Sequence, residues 1–143
     1  MTIEVLFEFE CPLTVYLSIK YLFMGMHNFR ELKIWQRAMD LAESIYILTE
    51  CFPREEKFGL SSQLKRCAVS VPSNISEGAG RGTNRQFRHF LEMSMGSCNE
   101  IQTQVELSFR FKYIDRQALD NIMDEAIQIY RMILSFYKSL KDD

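Results

Sequence analysis

The stretch Thr83–Phe109, TNRQFRHFLEMSMGSCNEIQTQVELSF, decides the fold. Its core-seeking residues fall at Phe87, Phe90/Leu91, Ser94, Cys98, Ile101, Val105 and Ser108/Phe109. Steps of three and four draw one stripe down a helix, where a strand would alternate. Thr83-Asn84-Arg85-Gln86 at its head has the capping-box form, in which a hydroxyl serves a backbone N–H three residues on. Small residues Ser94, Gly96, Ser97 and Cys98 occupy the middle. They allow a second backbone to approach closely, from the same chain or from a neighbouring subunit.

Three more stripes flank this one. Upstream, Leu32 to Phe52 carries Trp35, Ala38, Leu41/Ala42, Ile45, Leu48 and Phe52, and Pro53 ends it. Asn28-Phe29-Arg30-Glu31 reads as its capping start. The next segment opens with Glu55 and Glu56, acids suited to the positive end of a helix, and runs through Leu60, Leu64, Cys67/Ala68, Val71 and Ile75. Pro72 lies inside it and is expected to kink the helix near Ala68 to Val71 without ending it, because the stripe resumes at Ile75. Downstream, Asp115 caps a fourth helix with Leu119, Ile122, Ala126, Ile129/Tyr130, Ile133, Phe136/Tyr137 and Leu140. Short connections force successive helices to run in opposite directions. The expected fold is an all-α, antiparallel up-down-up-down four-helix bundle.

The 143 residues, 47% apolar, suit one domain with a core of its own. Residues 1–25 differ in texture: apolar, without helical period, and interrupted by Pro12 and Lys20. Glu4, Glu8 and Glu10 stand where a secretory signal wants positive charge, and the apolar runs are too short to span a bilayer. The domain is expected to be 26–143, with 1–25 a mis-called start or a loosely attached extension. Without that segment 16 basic residues balance 16 acidic ones. Cys11, Cys51, Cys67 and Cys98 are scattered, without C-x-x-C spacing, as in a reducing cytoplasm, and Cys67 and Cys98 sit in apolar stripes as small core residues. A cytoplasmic location without a membrane anchor is the expectation.

Charge is unevenly laid out. Lys65, Arg66, Arg81, Arg85 and Arg88 face Glu77 alone, a stretch carrying +4, while Asp115, Asp120, Asp124 and Glu125 face only Arg116. Arg85, Arg88, His89 and Glu92 share the helix face opposite Phe87 and Leu91, and Lys65 and Arg66 come from the preceding helix. Such a strip can follow a nucleic-acid backbone through phosphate contacts, or be no more than a solvated face. Glu77-Gly78-Ala79-Gly80-Arg81-Gly82 ahead of a helix start has two readings: a glycine-capped turn, or backbone donors presented to a phosphate. A nucleotide fingerprint is excluded, since neither the Walker pattern nor a preceding strand is present.

Catalytic equipment is not found. His27 and His89 are the only histidines, and His89-x-x-Glu92 occurs once and in reverse of the order a di-iron bundle requires. No metal, no cofactor and no nucleophile pair is expected, and the chain reads as no enzyme. The aromatics Phe87, Phe90, Phe109, Phe111, Phe136 and Tyr137 read mainly as core. Phe111 and Tyr113, near a helix end, either close the bundle or offer an exposed contact.

The residues resemble those of the 23S rRNA intervening-sequence protein family. The resemblance runs through Phe29, Leu32, Trp35 and Ile45-Tyr46, then Phe52-Pro53, Phe58-Gly59-Leu60, Val69-Ser70-Val71-Pro72, Asn74-Ile75, Glu77-Gly78, Arg81, Phe90-Leu91 and Gly96-Ser97. It spans Met26 to Leu140. It implies an antiparallel bundle that assembles as a homo-oligomer, with rings of five known in the family, and RNA or DNA as a partner. A similar bundle is the accessory variability protein of diversity-generating retroelements, which implies a reverse transcriptase-like protein as another partner. That relative is strongly basic, whereas this chain is neutral. In the resemblance Asn74, Glu77 and Arg81 are the signature polar positions. Glu77 and Arg81 are read as a pair one turn apart and Asn74 as a donor to backbone groups freed by Pro72, or the three together as a polar ligand site at the bundle end. Two functions remain: an oligomeric scaffold that binds nucleic acid through Lys65, Arg66, Arg81, Arg85 and Arg88, or a purely structural oligomer whose arginines pair with the Asp115 to Glu125 region of a neighbour.

Overall fold

The computed structural model describes residues 27–141. Four helices follow one another: α1 (Lys33–Thr49), α2 (Leu60–Ala79), α3 (Asn84–Arg110) and α4 (Arg116–Ser139). They hold 17, 20, 27 and 24 residues, or about 26 to 40 Å at 1.5 Å per residue. Among the described residues there is no strand, and no helix is long and apolar enough to cross a membrane. The expectations placed on residues 1–25 lie outside the described residues.

Contacts fix the order of the ends. On α2 and α3, Gly78 lies against Phe87 and Phe90, Val71 is bonded to Ser94, Ser70 to Ser97, and Cys67 to Gln104. One number falls as the other rises, so the two helices run in opposite directions. On α3 and α4, Phe87 meets Phe136 while Phe109 lies near Arg116, the same reversal. His27, just ahead of α1, packs on Phe87 and Phe136, whereas Phe52, just past α1, packs on Tyr113. Helix α1 therefore starts at the Phe87 end and finishes at the Tyr113 end, opposite to α2 and α4.

The stripes face inward. Ala38, Leu41 and Ile45 of α1, Leu64, Val71 and Ile75 of α2, Phe87, Leu91, Cys98, Ile101 and Val105 of α3, and Ile122, Ala126, Ile129 and Ile133 of α4 form one buried core. Burial of this kind, at roughly 25 cal/mol per Å² of apolar surface, is what holds four separate helices together. The small residues of α3 serve the bundle itself: Ser94 and Cys98 are fully buried, Ser94 Oγ donates to the Val71 carbonyl at 2.9 Å, and Ser97 bonds Ser70. Gly96 meets nothing within 4 Å of where a Cβ would stand.

Two helix starts differ from the sequence expectation. Asn28–Glu31 is not the first turn of α1. Phe29–Glu31 form a separate 3₁₀ turn in which Asn28 Nδ2 donates to Glu31 Oε1 at 2.9 Å, and α1 begins only after the extended Leu32. Likewise Glu55 and Glu56 precede α2. Arg54–Phe58 form a 3₁₀ turn, Gly59 breaks the helical path with φ −102° and ψ −123°, and Glu56 Oε2 accepts from Leu60 N–H at 2.7 Å. Glu56 thus satisfies one of the free donors at the start of α2 from outside the helix. The other two starts are as read: Thr83 Oγ1 accepts from Gln86 N–H at 3.2 Å, and Asp115 Oδ1 from Ala118 N–H at 2.8 Å.

Helix α2 continues through the buried Pro72. Proline leaves the Ala68 carbonyl without its usual donor four residues on. Side-chain donors gather around this turn: Ser70 to the Cys67 carbonyl at 3.1 Å, Ser73 to Val69 at 2.8 Å, Asn74 Nδ2 to Ser70 at 2.9 Å, and Ser94 to Val71. Asn74 therefore serves Ser70 and not the carbonyl that Pro72 itself vacates.

Candidate nucleic-acid interface

The turn between α2 and α3 is short because two glycines do different work. A Cβ on the buried Gly78 would stand 2.6 Å from Phe87 Cδ2 and 2.7 Å from Phe90 Cβ, so only hydrogen fits and the two helices close tightly. Gly80 is the C-cap of α2, in right-handed conformation, with its N–H directed at the Ser76 and Glu77 carbonyls, while the Arg81 N–H donates to Gly78. No glycine among the described residues has positive φ.

This tight turn delivers Arg81, Arg85, Arg88 and His89 to one open cleft of about 1080 Å³, shared with Phe90, Glu92 and Tyr137. Arg81 forms an ion pair with Glu77 one turn back, and its guanidinium also lies over the Phe90 ring, 4.8 Å from the centroid. Both partners are about half exposed, so the pair contributes little stability and mainly fixes where the guanidinium points. Arg88 repeats the arrangement on Tyr137, 4.6 Å from the ring centroid, with Nη2 donating to the phenol oxygen at 3.3 Å. Tyr137 in turn donates to Glu92 Oε1 at 2.8 Å. Arg85 is exposed on the first turn of α3 and has no carboxylate partner among the described residues. It stands at the positive end of a 27-residue helix dipole.

The five-residue strip does not stay together. Lys65 lies over the Tyr46 ring of α1 at 4.9 Å, and Arg66 lines a smaller crevice with Gln63, Cys67, Ser70 and Glu100. Both sit in the second turn of α2, about 20 Å of helix away from its C-terminal end. Arg81, Arg85 and Arg88 form the cleft without them.

Sequence reasoning did not find the cleft's aromatic walls. Phe90 and Tyr137 fall on apolar stripes and read as core, yet each is only half-buried and backs an arginine. The spacing that marks a stripe does not say which of its members lies at the edge. Phe111 is exposed, while Tyr113 packs on Phe52 and donates to Glu56 Oε1 at 2.9 Å, which pushes the phenol above its usual range.

The remaining polar chemistry is internal. Burial drives the Cys98 thiol up to about 12, and burial together with Glu100 drives Cys67 to about 12. Neither is a nucleophile at neutral pH. Gln104, 5% exposed, donates to Cys67 Sγ at 3.6 Å and to Glu100 Oε1 at 3.2 Å, while its own Oε1 has no partner. Among the described residues no cluster of three or more His, Cys, Asp or Glu side chains could hold a metal ion.

Comparison with known proteins gives the bundle a family. No curated protein matches the sequence. A solved structure from Bacteroides thetaiotaomicron VPI-5482, described as a protein with unknown function from the S23 ribosomal protein family, superposes with a TM-score of 0.67 at 23% identity. The match covers 74% of this chain and 99% of that one, and at this identity it bears on the fold alone. Residues 30–135 match the family described as 23S rRNA-intervening sequence protein, a span running from the 3₁₀ turn before α1 almost to the end of α4. With the match covering most of the sequence and all four helices, this chain belongs to the 23S rRNA-intervening sequence protein family.

Proposed function

We propose that this chain is a non-catalytic, cytoplasmic scaffold that assembles with copies of itself and binds nucleic acid, or an enzyme acting on nucleic acid, through the cleft of Arg81, Arg85 and Arg88. The observation that carries this reading is the convergence of three guanidiniums in one open cleft on a chain whose overall charge is close to neutral. Arg85 is exposed and lacks a carboxylate partner among the described residues, so its charge is available to an anionic partner. Lys65, over the Tyr46 ring, and Arg66, in the crevice beside Glu100, stand apart from this cleft. The exposed apolar side chains Ile47, Phe58 and Phe111, at 61%, 88% and 53%, are available to such an assembly. A ring of five, with a reverse transcriptase-like protein as partner, is the assembly that family resemblance favours.

The alternative is a structural oligomer that binds no nucleic acid, its arginines paired with the Asp115 to Glu125 region of a neighbour. Within the chain Asp120 already pairs with Arg116 and Glu125 with Arg37, which leaves that region fewer open carboxylates. The double reversal Arg85→Glu/Arg88→Glu separates the two. Under the scaffold reading, gel-shift binding to structured RNA and DNA weakens as salt rises from roughly 50 to 200 mM, by about fortyfold if all three arginines neutralise duplex phosphates, and is lost in the variant. Binding that survives the reversal removes this reading. A fall in light-scattering mass in the variant, with no nucleic-acid binding by the unaltered chain, supports the alternative.

A further inference from the structure

The cleft is more than a patch of charge. Each of two arginines lies on an aromatic ring: Arg81 on Phe90 and Arg88 on Tyr137, at 4.8 and 4.6 Å. A guanidinium is flat, and a ring beneath it holds the plane in place through cation–π attraction. Its outer face is then a platform on which an unpaired base can stack, as bases do on arginine planes and aromatic rings in single-strand recognition. Glu92, by accepting the Tyr137 hydroxyl proton, fixes the ring that backs one platform.

We propose that this cleft takes an unpaired run of nucleotides, with bases on the Arg81 and Arg88 planes and a phosphate on Arg85, in preference to a duplex. The inference rests on the nucleic-acid reading above and specifies the form of its ligand. Three features support it. First, a duplex hides its base faces and offers only groove edges and backbone, so stacking platforms would be idle against it. Second, Arg88 and Phe90 are half-buried in the wall of a concave site, whereas groove readers project a helix or a ribbon outward. Third, about 1080 Å³ lies just above the range for small-ligand sites, roughly 300–1000 Å³, and suits a short strand of a few nucleotides. Arg81 and Arg88 lie on rings, Arg81 pairing with Glu77 as well, and Arg85, on the first turn of α3, is placed to meet the backbone. Both sugars present the same bases and phosphates to these groups, so ribose and deoxyribose strands are separate arms of the test.

Fluorescence anisotropy on the full chain is the experiment, with labelled 12-nucleotide single strands of RNA and of DNA against 12-base-pair duplexes of matched sequence. The expected result is single-strand binding about tenfold tighter than duplex binding, in one or both sugar arms. Phe90→Leu/Tyr137→Leu, which keeps apolar volume and removes both rings, is expected to lose about that tenfold for single strands and to leave the duplex nearly unchanged. A strand carrying a base whose fluorescence is quenched by stacking gives a second readout on the unaltered protein, should the double variant fail to fold. Duplex binding equal to or tighter than strand binding, still sensitive to Arg85→Glu/Arg88→Glu, overturns the single-strand assignment and leaves the broader reading standing. Strand binding indifferent to the loss of both rings, or without quenching, also overturns it. Absence of any binding removes both.

Discussion

At the scale of single residues, space and burial outrank propensity. Gly78 lies inside a helix, where alanine is intrinsically favoured by about 1 kcal/mol. Here the added methyl would meet Phe87 and the backbone-anchored Cβ of Phe90 at under 3 Å. Gly78→Ala is therefore expected to lower stability by about 1–3 kcal/mol, the usual cost of overpacking, and urea denaturation would show it as a lower midpoint. A midpoint unchanged or raised would mean that the α2–α3 approach is looser than described. The sequence made the Glu77-Gly78 step visible as part of a family pattern, but not its reason, because nothing local announces that two phenylalanines nine and twelve residues on will fold back over a glycine. Gln104 was equally hidden: on the stripe's flank it looks like a surface residue, and only packing places it beside Cys67. Lys112 adopts φ 63° after α3, with Tyr113 N–H reaching back to the Ser108 carbonyl, a helix ending that glycine would ordinarily mark.

At the scale of helices, periodicity was enough for existence and facing, and capping chemistry decided how well the ends were read. Thr83 and Asp115 were legible because their acceptor atoms lie in the cap residue itself. Glu56 was not, since it serves Leu60 from four residues upstream, across Gly59, and simultaneously accepts the Tyr113 hydroxyl from beyond α3. One carboxylate thus ties the start of α2 to the connection between α3 and α4. Glu56→Ala is expected to cost about 1–2 kcal/mol, for a lost helix cap and a phenol left without its acceptor, and to lower Tm by several degrees. Tyrosinate absorbance should move with it, because the Tyr113 phenol returns toward its ordinary range once the carboxylate is gone. A melting curve unaltered by the change would deny Glu56 that tie.

For the molecule as a whole, the four-ribbon plan was readable from Met26 to Leu140, and the site only in part. Arg81, Arg85 and Arg88 share one cleft, but Lys65 and Arg66 are separated from them by the length of α2, since closeness in sequence across a helix is distance in space. The two core thiols give the fold a particular alkaline limit. Unfolded thiols ionise near 9.0, whereas Cys67 and Cys98 hold their protons to about 12 in the bundle. A raised folded value means that this contribution is fully present below pH 9 and is lost as pH climbs from 9 toward 12. Urea midpoints should be flat from about pH 7 to 8.5 and decline above 9, and Cys67→Ala/Cys98→Ala should flatten that decline. A double variant with the same alkaline slope would assign the limit elsewhere. The bundle also has two unlike poles: arginines gather where α2 turns into α3, and the exposed rings of Phe58 and Phe111 stand near the other end. An object with a distinguishable head and tail makes the sense of stacking matter. Copies standing shoulder to shoulder in register would crown one rim with every cleft, so that a long flexible polymer, once caught, is held by many weak grips at high effective concentration, whereas head-to-tail neighbours would scatter them.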